Sequence, residues 1–140
     1  MNQDPQKLPN EETFTLQDYR QFVHKLECTK DEDLRTRLDH AINGMASEGG
    51  ELLDLIKAVK FYGKKVPRIK FLDEMADELH FLVMGMNILG VTFNDLIRLN
   101  KLKLRSRYPN GFTQEDAITR DREKEQKEMN KAVDNPEETI

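Results

Sequence analysis

Four carboxylates stand where helical spacing would place core residues. Glu48 and Glu51 are three apart, so they share one face of a helix. That face continues into Leu52, Leu55 and Val59, the apolar side of the same segment. Glu74 and Asp77 repeat the arrangement and lead into Phe81, Met84 and Ile88. Two helices joined by a short loop pack antiparallel, which brings the two pairs towards each other. Anions crowded into a partly buried site are costly when unpaired. A hard divalent cation such as Mg²⁺, which takes oxygen ligands and keeps water in its shell, removes the conflict. A di-iron centre would require two Glu-x-x-His elements, and the nearest approach is the half-match Asp77-x-x-His80. A single Glu pair at this spacing is commonly just a solvated face. Two pairs, each merging into an apolar stripe, point to a metal site.

A cationic face lies further along. Asn100, Lys103 and Arg107 recur at i, i+3 and i+7, which places an amide, an ammonium and a guanidinium on one side of a helix. Lys and Arg there can bind phosphate oxygens, Arg in bidentate fashion. The simpler explanation is that cations favour the C-terminal end of a helix dipole. Lys101 and Arg105 are expected on other faces, in solvent. Acidic metal ligands and a separate cationic face together fit metal-assisted phosphoryl or pyrophosphoryl chemistry.

The elements that must carry these groups read as helices throughout. Thr15 with Asp18 has capping-box spacing, and Leu16, Tyr19, Phe22, Val23 and Leu26 follow at helical intervals. A second helix begins near Asp31 or Asp33 and runs through Leu34, Leu38, Ile42 and Met45; Gly49-Gly50 either interrupts it or permits close packing. Tyr62 to Pro67 reads as a helix end and loop. Phe71 to Leu89 is the most hydrophobic segment, ended by Gly90, and apolar on most sides in its second half. Thr92 with Asp95 caps a fourth helix running to about Arg107, and Tyr108-Pro109-Asn110-Gly111 is a turn. The expected architecture is an all-α, four-helix-bundle-like core of antiparallel helices, completed by oligomerisation. Residues 1–13 form a flexible arm, 14–119 the helical domain, and 120–140 a polar, solvated helix or tail that frays.

Composition narrows the function classes. The 140 residues carry 22 Lys and Arg against 26 Asp and Glu, for a net charge of −4, so a general nucleic-acid or anionic-membrane binder is not expected. The longest uncharged run, Phe81 to Phe93, is well short of the roughly 20 apolar residues of a membrane span. One cysteine, Cys28, cannot form an internal disulfide, and a reducing, cytoplasmic setting is expected.

Glu48-Gly-Gly-Glu51 followed by Glu74-Met-Ala-Asp77 resembles the ExxE and ExxD pair of the MazG-like all-α nucleoside triphosphate pyrophosphohydrolases. The resemblance extends over residues 35 to 121. Met45–Asp54 resembles the first metal helix of that family, Phe71–Asp77 the second, and Asn100–Phe112 the phosphate-facing helix with its turn. It implies hydrolysis of an NTP or dNTP to monophosphate and pyrophosphate, in nucleotide-pool housekeeping. Glu48, Glu51, Glu74 and Asp77 would hold Mg²⁺, with Mn²⁺ as a substitute, and Glu48 or Glu51 would be the general base. Lys103 and Arg107 would neutralise the leaving pyrophosphate, with Asn100 and Tyr108 adding hydrogen bonds. Asp54 and Lys57 would support the metal helix from behind, and His40 and Asn43 are candidates for a nucleobase pocket. The resemblance also implies a homodimer or homotetramer. Two alternatives stand beside this reading: a phosphoribosyl-ATP pyrophosphohydrolase-type enzyme, and a non-catalytic helical dimerisation module.

Overall fold

The computed structural model describes residues 14–140, so the arm expected over 1–13 lies outside the described residues. They fold as α1 (Leu16–Leu26), α2 (Leu34–Tyr62), α3 (Arg68–Leu89), α4 (Phe93–Arg107), α5 (Gln114–Ile118) and α6 (Arg122–Met129), with a closing 3-10 turn at Asn130–Ala132. The class is all-helical, as the periodicity requires, and no strand occurs among the described residues. No single described helix is long and apolar enough to cross a membrane.

Capping residues set most helix starts. Thr15 and Asp18 form a capping box on α1, and Thr92 and Asp95 form another on α4. In the second, the Thr92 N–H donates to Asp95 Oδ2 at 2.7 Å and the Asp95 N–H to Thr92 Oγ1 at 3.2 Å. Asp33 is the N-cap of α2, accepting from the N–H groups of Arg35 and Thr36. Gly63 and Gly90 end α2 and α3 at φ 61° and 66°, the left-handed conformation that costs glycine least. The Gly49-Gly50 pair does not interrupt α2, which runs unbroken for 29 residues.

α2 and α3 make the principal packing of the molecule, and they run antiparallel. Ala41 meets Gly85, Gly44 meets the Phe81 ring, and Gly49 approaches Glu78, so partners on α3 fall in number as those on α2 rise. Gly44 is required here: a Cβ at that position would stand only 2.2–2.4 Å from three atoms of the Phe81 ring. The small residues bring the two backbones together over a core of Val23, Ala41, Val83, Met84 and Met86. α1 adds Val23 to that core and docks on α3 through a reciprocal pair of hydrogen bonds. Arg20 Nε donates to Asn87 Oδ1 at 2.9 Å, and Asn87 Nδ2 donates to the Arg20 carbonyl at 3.0 Å. The end of α1 is tied to α2 by buried Glu27, which accepts from Arg37 Nε at 2.6 Å and Nη2 at 3.0 Å.

The fourth helix departs from the expected bundle. α4 leaves α3 at 98° rather than returning antiparallel to it. The three-residue connector 90–92 leaves Val91, Phe93 and Leu96 packed on the core, and this anchors the start of α4 while its far end projects away. That end is covered by α6 and the 3-10 turn; the C-terminal segment is the polar, largely exposed helix and tail that the sequence suggests, but α6 is docked on α4 rather than free. Glu125 and Ala132 are buried, at 2% and 5% exposure, because the segment buries a paired carboxylate rather than an apolar stripe.

The core assignment predicts a stability effect. Met84→Ala, at a residue 2% exposed, is expected to lower stability by about 2–5 kcal/mol through lost burial and the cavity left behind. Urea unfolding followed by circular dichroism measures it, and a change under 0.5 kcal/mol would contradict the assignment of Met84 to the core.

Candidate metal centre

The antiparallel α2–α3 register decides which carboxylates meet. Glu48 on α2 and Glu74 with Asp77 on α3 each offer an oxygen, and the three oxygens lie within 4.8 Å of one another. A magnesium shell of about 2.0–2.1 Å radius separates its oxygens by roughly 3 Å when adjacent and 4.2 Å when opposite. The trio therefore fits a small divalent cation after slight side-chain adjustment. All three donors are carboxylates, which suits a hard, oxygen-seeking ion. On the adjoining turn of α2, Gly49 lies beside Glu78, whose Oε1 would be in ordinary contact, at 3.7 Å, with a Cβ added there.

Two of the three carboxylates are disfavoured in their charged form. Glu48 has a raised pKa, first from loss of water contact, then from the charges of Glu51 and Asp77. Glu74 is raised by loss of water contact and then by Glu51, Asp73, Glu48 and Asp77. No Lys or Arg among the described residues forms an ion pair with Glu48, Glu74 or Asp77. The contrast with Glu27 is instructive: there the Arg37 guanidinium outweighs burial and holds the carboxyl below its ordinary value.

Other expected site residues are placed as follows. Glu51 is exposed and stands beside the trio, close enough to raise Glu48 and Glu74, without joining the converging oxygens. Asp54 and Lys57 pair with each other at 3.3 Å on the solvent side of α2, 77% and 54% exposed. Asn43 donates to the Asp39 carbonyl of its own helix. His40 has its Nδ1 3.4 Å from Thr29 Oγ1 and its ring edge-on to Phe81, so its surroundings are those of a packing residue.

The cationic face divides in two. Arg107 turns to α6 and grips Glu125 with Nε and Nη2, both at 2.8 Å. Lys101 and Arg105 are exposed, as expected, but Asn100 and Tyr108 line a groove with them, which corrects the expectation that Asn100 shares a face with Arg107. Lys103 is half-buried. The i, i+3, i+7 rule places α carbons within an arc, but α6 and the turn after Arg107 draw the long side chains to different neighbours.

Four neighbours of these groups escape the sequence reading. Tyr19 on α1 lies near the centre: burial and then the charge of Asp77 raise its phenol pKa. Glu78 faces Gly49, one turn beyond Glu74 at the i+4 position that would have marked it. Glu125 and Arg120 fall in the polar C-terminal segment, where nothing local distinguishes a buried Glu from its exposed neighbours. Comparison of the chain with known family models, with curated proteins and with solved structures finds no match.

The raised carboxyls fix the sign of a pH effect. Glu48 and Glu74 bind protons more tightly folded than unfolded, so their contribution weakens the metal-free fold as pH rises from the ordinary Glu range through the raised value. In EDTA at pH 7, Glu74→Gln is expected to melt above the wild type, with the gap closing below about pH 4, where the unfolded carboxyls also protonate. Equal melting temperatures across that range would mean the carboxylates do not oppose one another.

Proposed function

We propose that the chain is a metal-dependent nucleotide pyrophosphohydrolase of the MazG-like all-α type, cleaving an NTP or dNTP to the monophosphate and pyrophosphate in the cytoplasm. The observation that carries this reading is the convergence of Glu48, Glu74 and Asp77 across the α2–α3 contact with no cationic partner among the described residues. Two half-buried carboxylates and an exposed third, converging without counter-charge among the described residues, supply the oxygen donors a divalent cation takes. The three residues would hold Mg²⁺, or Mn²⁺ in its place. The ion would supply charge neutralisation of the triphosphate and a lowered pKa for attacking water. Glu51, outside the trio and in solvent, is then free to accept the proton from that water. The bond that breaks joins the α-phosphorus to the bridging oxygen, and the leaving pyrophosphate takes its charge to the cations of α4.

Those cations reach the site from a second copy. Twelve residues of α3 separate Asp77 from Leu89 and fourteen of α4 separate Phe93 from Arg107, about 18 and 21 Å of helix. With the helices crossing at 98°, Asp77 and Arg107 of one chain stand roughly 28 Å apart, too far for one triphosphate to bridge. Uncovered apolar stripes support pairing of copies. Ile42, Leu53 and Ile56 on α2 are 56%, 68% and 50% exposed, and Leu72, Met75 and Leu79 on α3 are 40%, 56% and 39% exposed. Each set follows helical spacing, and exposed apolar residues aligned along a helix face are what an interface would cover. A homodimer or homotetramer is the proposed assembly.

Two measurements test these proposals. A panel of NTPs and dNTPs with Mg²⁺ is expected to release pyrophosphate, with label from ¹⁸O-water on the monophosphate and with Glu74→Gln reducing turnover at least a hundredfold. Orthophosphate and a diphosphate as first products, or turnover unaffected by the substitution, would exclude the reading. Mixing inactive Glu74→Gln with inactive Arg107→Ala is expected to restore about a quarter of wild-type activity, because half of randomly formed dimers are mixed and each has one intact composite site. No recovery in subunits shown to exchange would place both groups in one chain's site.

A further inference from the structure

The Arg107–Glu125 contact has a third member. Arg120, beyond the turn and α5, also donates to Glu125, from Nε at 3.2 Å and from Nη2 at 2.7 Å. Each Glu125 oxygen thus accepts two N–H groups, one from each guanidinium. The Glu125 side chain is 3% exposed, Arg107 16% and Arg120 36%. Two positive groups around one negative leave a net charge of +1. Each arginine has committed two of its five N–H donors to Glu125, and Tyr108 is a further hydrogen-bond partner of Arg107, so donors remain on both guanidiniums, more of them on Arg120. The Tyr108 ring packs over the Arg107 guanidinium at 5.7 Å, closing one side.

Such a cluster can be a latch or a yoke. A latch would have Glu125 occupy the anion position and leave when a phosphate arrives. Removal of a buried, fourfold hydrogen-bonded carboxylate from two guanidiniums is strongly unfavourable, and α6 with its 3-10 turn is packed on α4 as well. The yoke is the reading the geometry favours. Glu125 holds the two guanidiniums at fixed separation, and an entering oxyanion meets cations that are already ordered.

We propose that Arg107 and Arg120, yoked by buried Glu125, form a two-guanidinium site for a pyrophosphate-type oxyanion, with Arg120 a direct ligand and Glu125 a positioning residue acting through both. As a route for the leaving group this rests on the pyrophosphohydrolase reading, but the anion site itself can be measured without turnover.

The test is titration of the full chain with inorganic pyrophosphate in EDTA, by calorimetry, with helicity and melting temperature recorded for each variant. Wild type is expected to bind, and the exposed-site control Arg122→Ala to bind equally. Arg120→Ala, with helicity retained, is expected to weaken binding about tenfold. Glu125→Gln is expected to weaken it as well, at a temperature where the variant remains folded. Wild-type affinity in Arg120→Ala would overturn the proposal, as would no binding by the wild type. Tighter binding by Glu125→Gln would overturn it in favour of a latch. Nucleotide turnover is scored separately. Arg120-dependent pyrophosphate binding in a chain that hydrolyses no nucleotide would keep the site and remove the pyrophosphohydrolase reading. Turnover with unaltered binding in Arg120→Ala would do the reverse.

Discussion

The close contact of α2 with α3 is the constraint from which the rest of the molecule follows. Gly44 admits the Phe81 ring and Ala41 meets Gly85, so two long helices approach at small residues and lock in register. That register is set by packing of neutral groups at one end. Its consequence appears at the other end, where Glu48 is carried to Glu74 and Asp77. The apolar core therefore imposes the electrostatic conflict at the centre. Burial of Val83, Met84 and Met86 is favourable enough to hold like charges together, and the unfavourable part is concentrated at the site a cation would relieve.

Carboxylates in this chain meet three distinct fates, and the neighbours decide which. Asp18, Asp33 and Asp95 are helix caps, held below their ordinary pKa by hydrogen bonds from threonine side chains and backbone N–H groups. Glu27 and Glu125 are buried and held down by arginine; they join α1 to α2 and α6 to α4. Glu48 and Glu74 have other carboxylates nearby and are pushed up. Structural ties and an unpaired acidic cluster are thus built from the same side chain. The difference lies in whether a guanidinium is supplied within the fold.

The direction of α4 separates the acidic and cationic groups within one chain. Its start is fixed on the core by Val91, Phe93 and Leu96, and its far end is stiffened by the Arg107–Glu125–Arg120 cluster. A helix anchored at both ends is a rigid arm, suited to presenting cations at a distance from the core. The exposed stripes on α2 and α3 lie on the helices that carry the acidic centre. The same geometry accounts for both the uncovered apolar surface and the separated charges.

Local chemistry in the sequence determined the helices and their limits. Thr15, Asp33 and Thr92 cap by side-chain hydrogen bonds to residues two or three along, and Gly63 and Gly90 end helices by a conformation available at a single residue. Such signals need no tertiary partner, which is why they were legible. The acidic pairs were legible for the same reason, since i, i+3 spacing alone sets a shared face. Which of the four carboxylates converge was a matter of register between two helices, and Glu51 was left outside it. The crossing angle of α4, the capture of Arg107 by a glutamate eighteen residues away and the docking of α6 on α4 were decided by tertiary structure. Each depends on which distant surface is available to a flexible side chain or a short connector, and no periodicity along the chain encodes that.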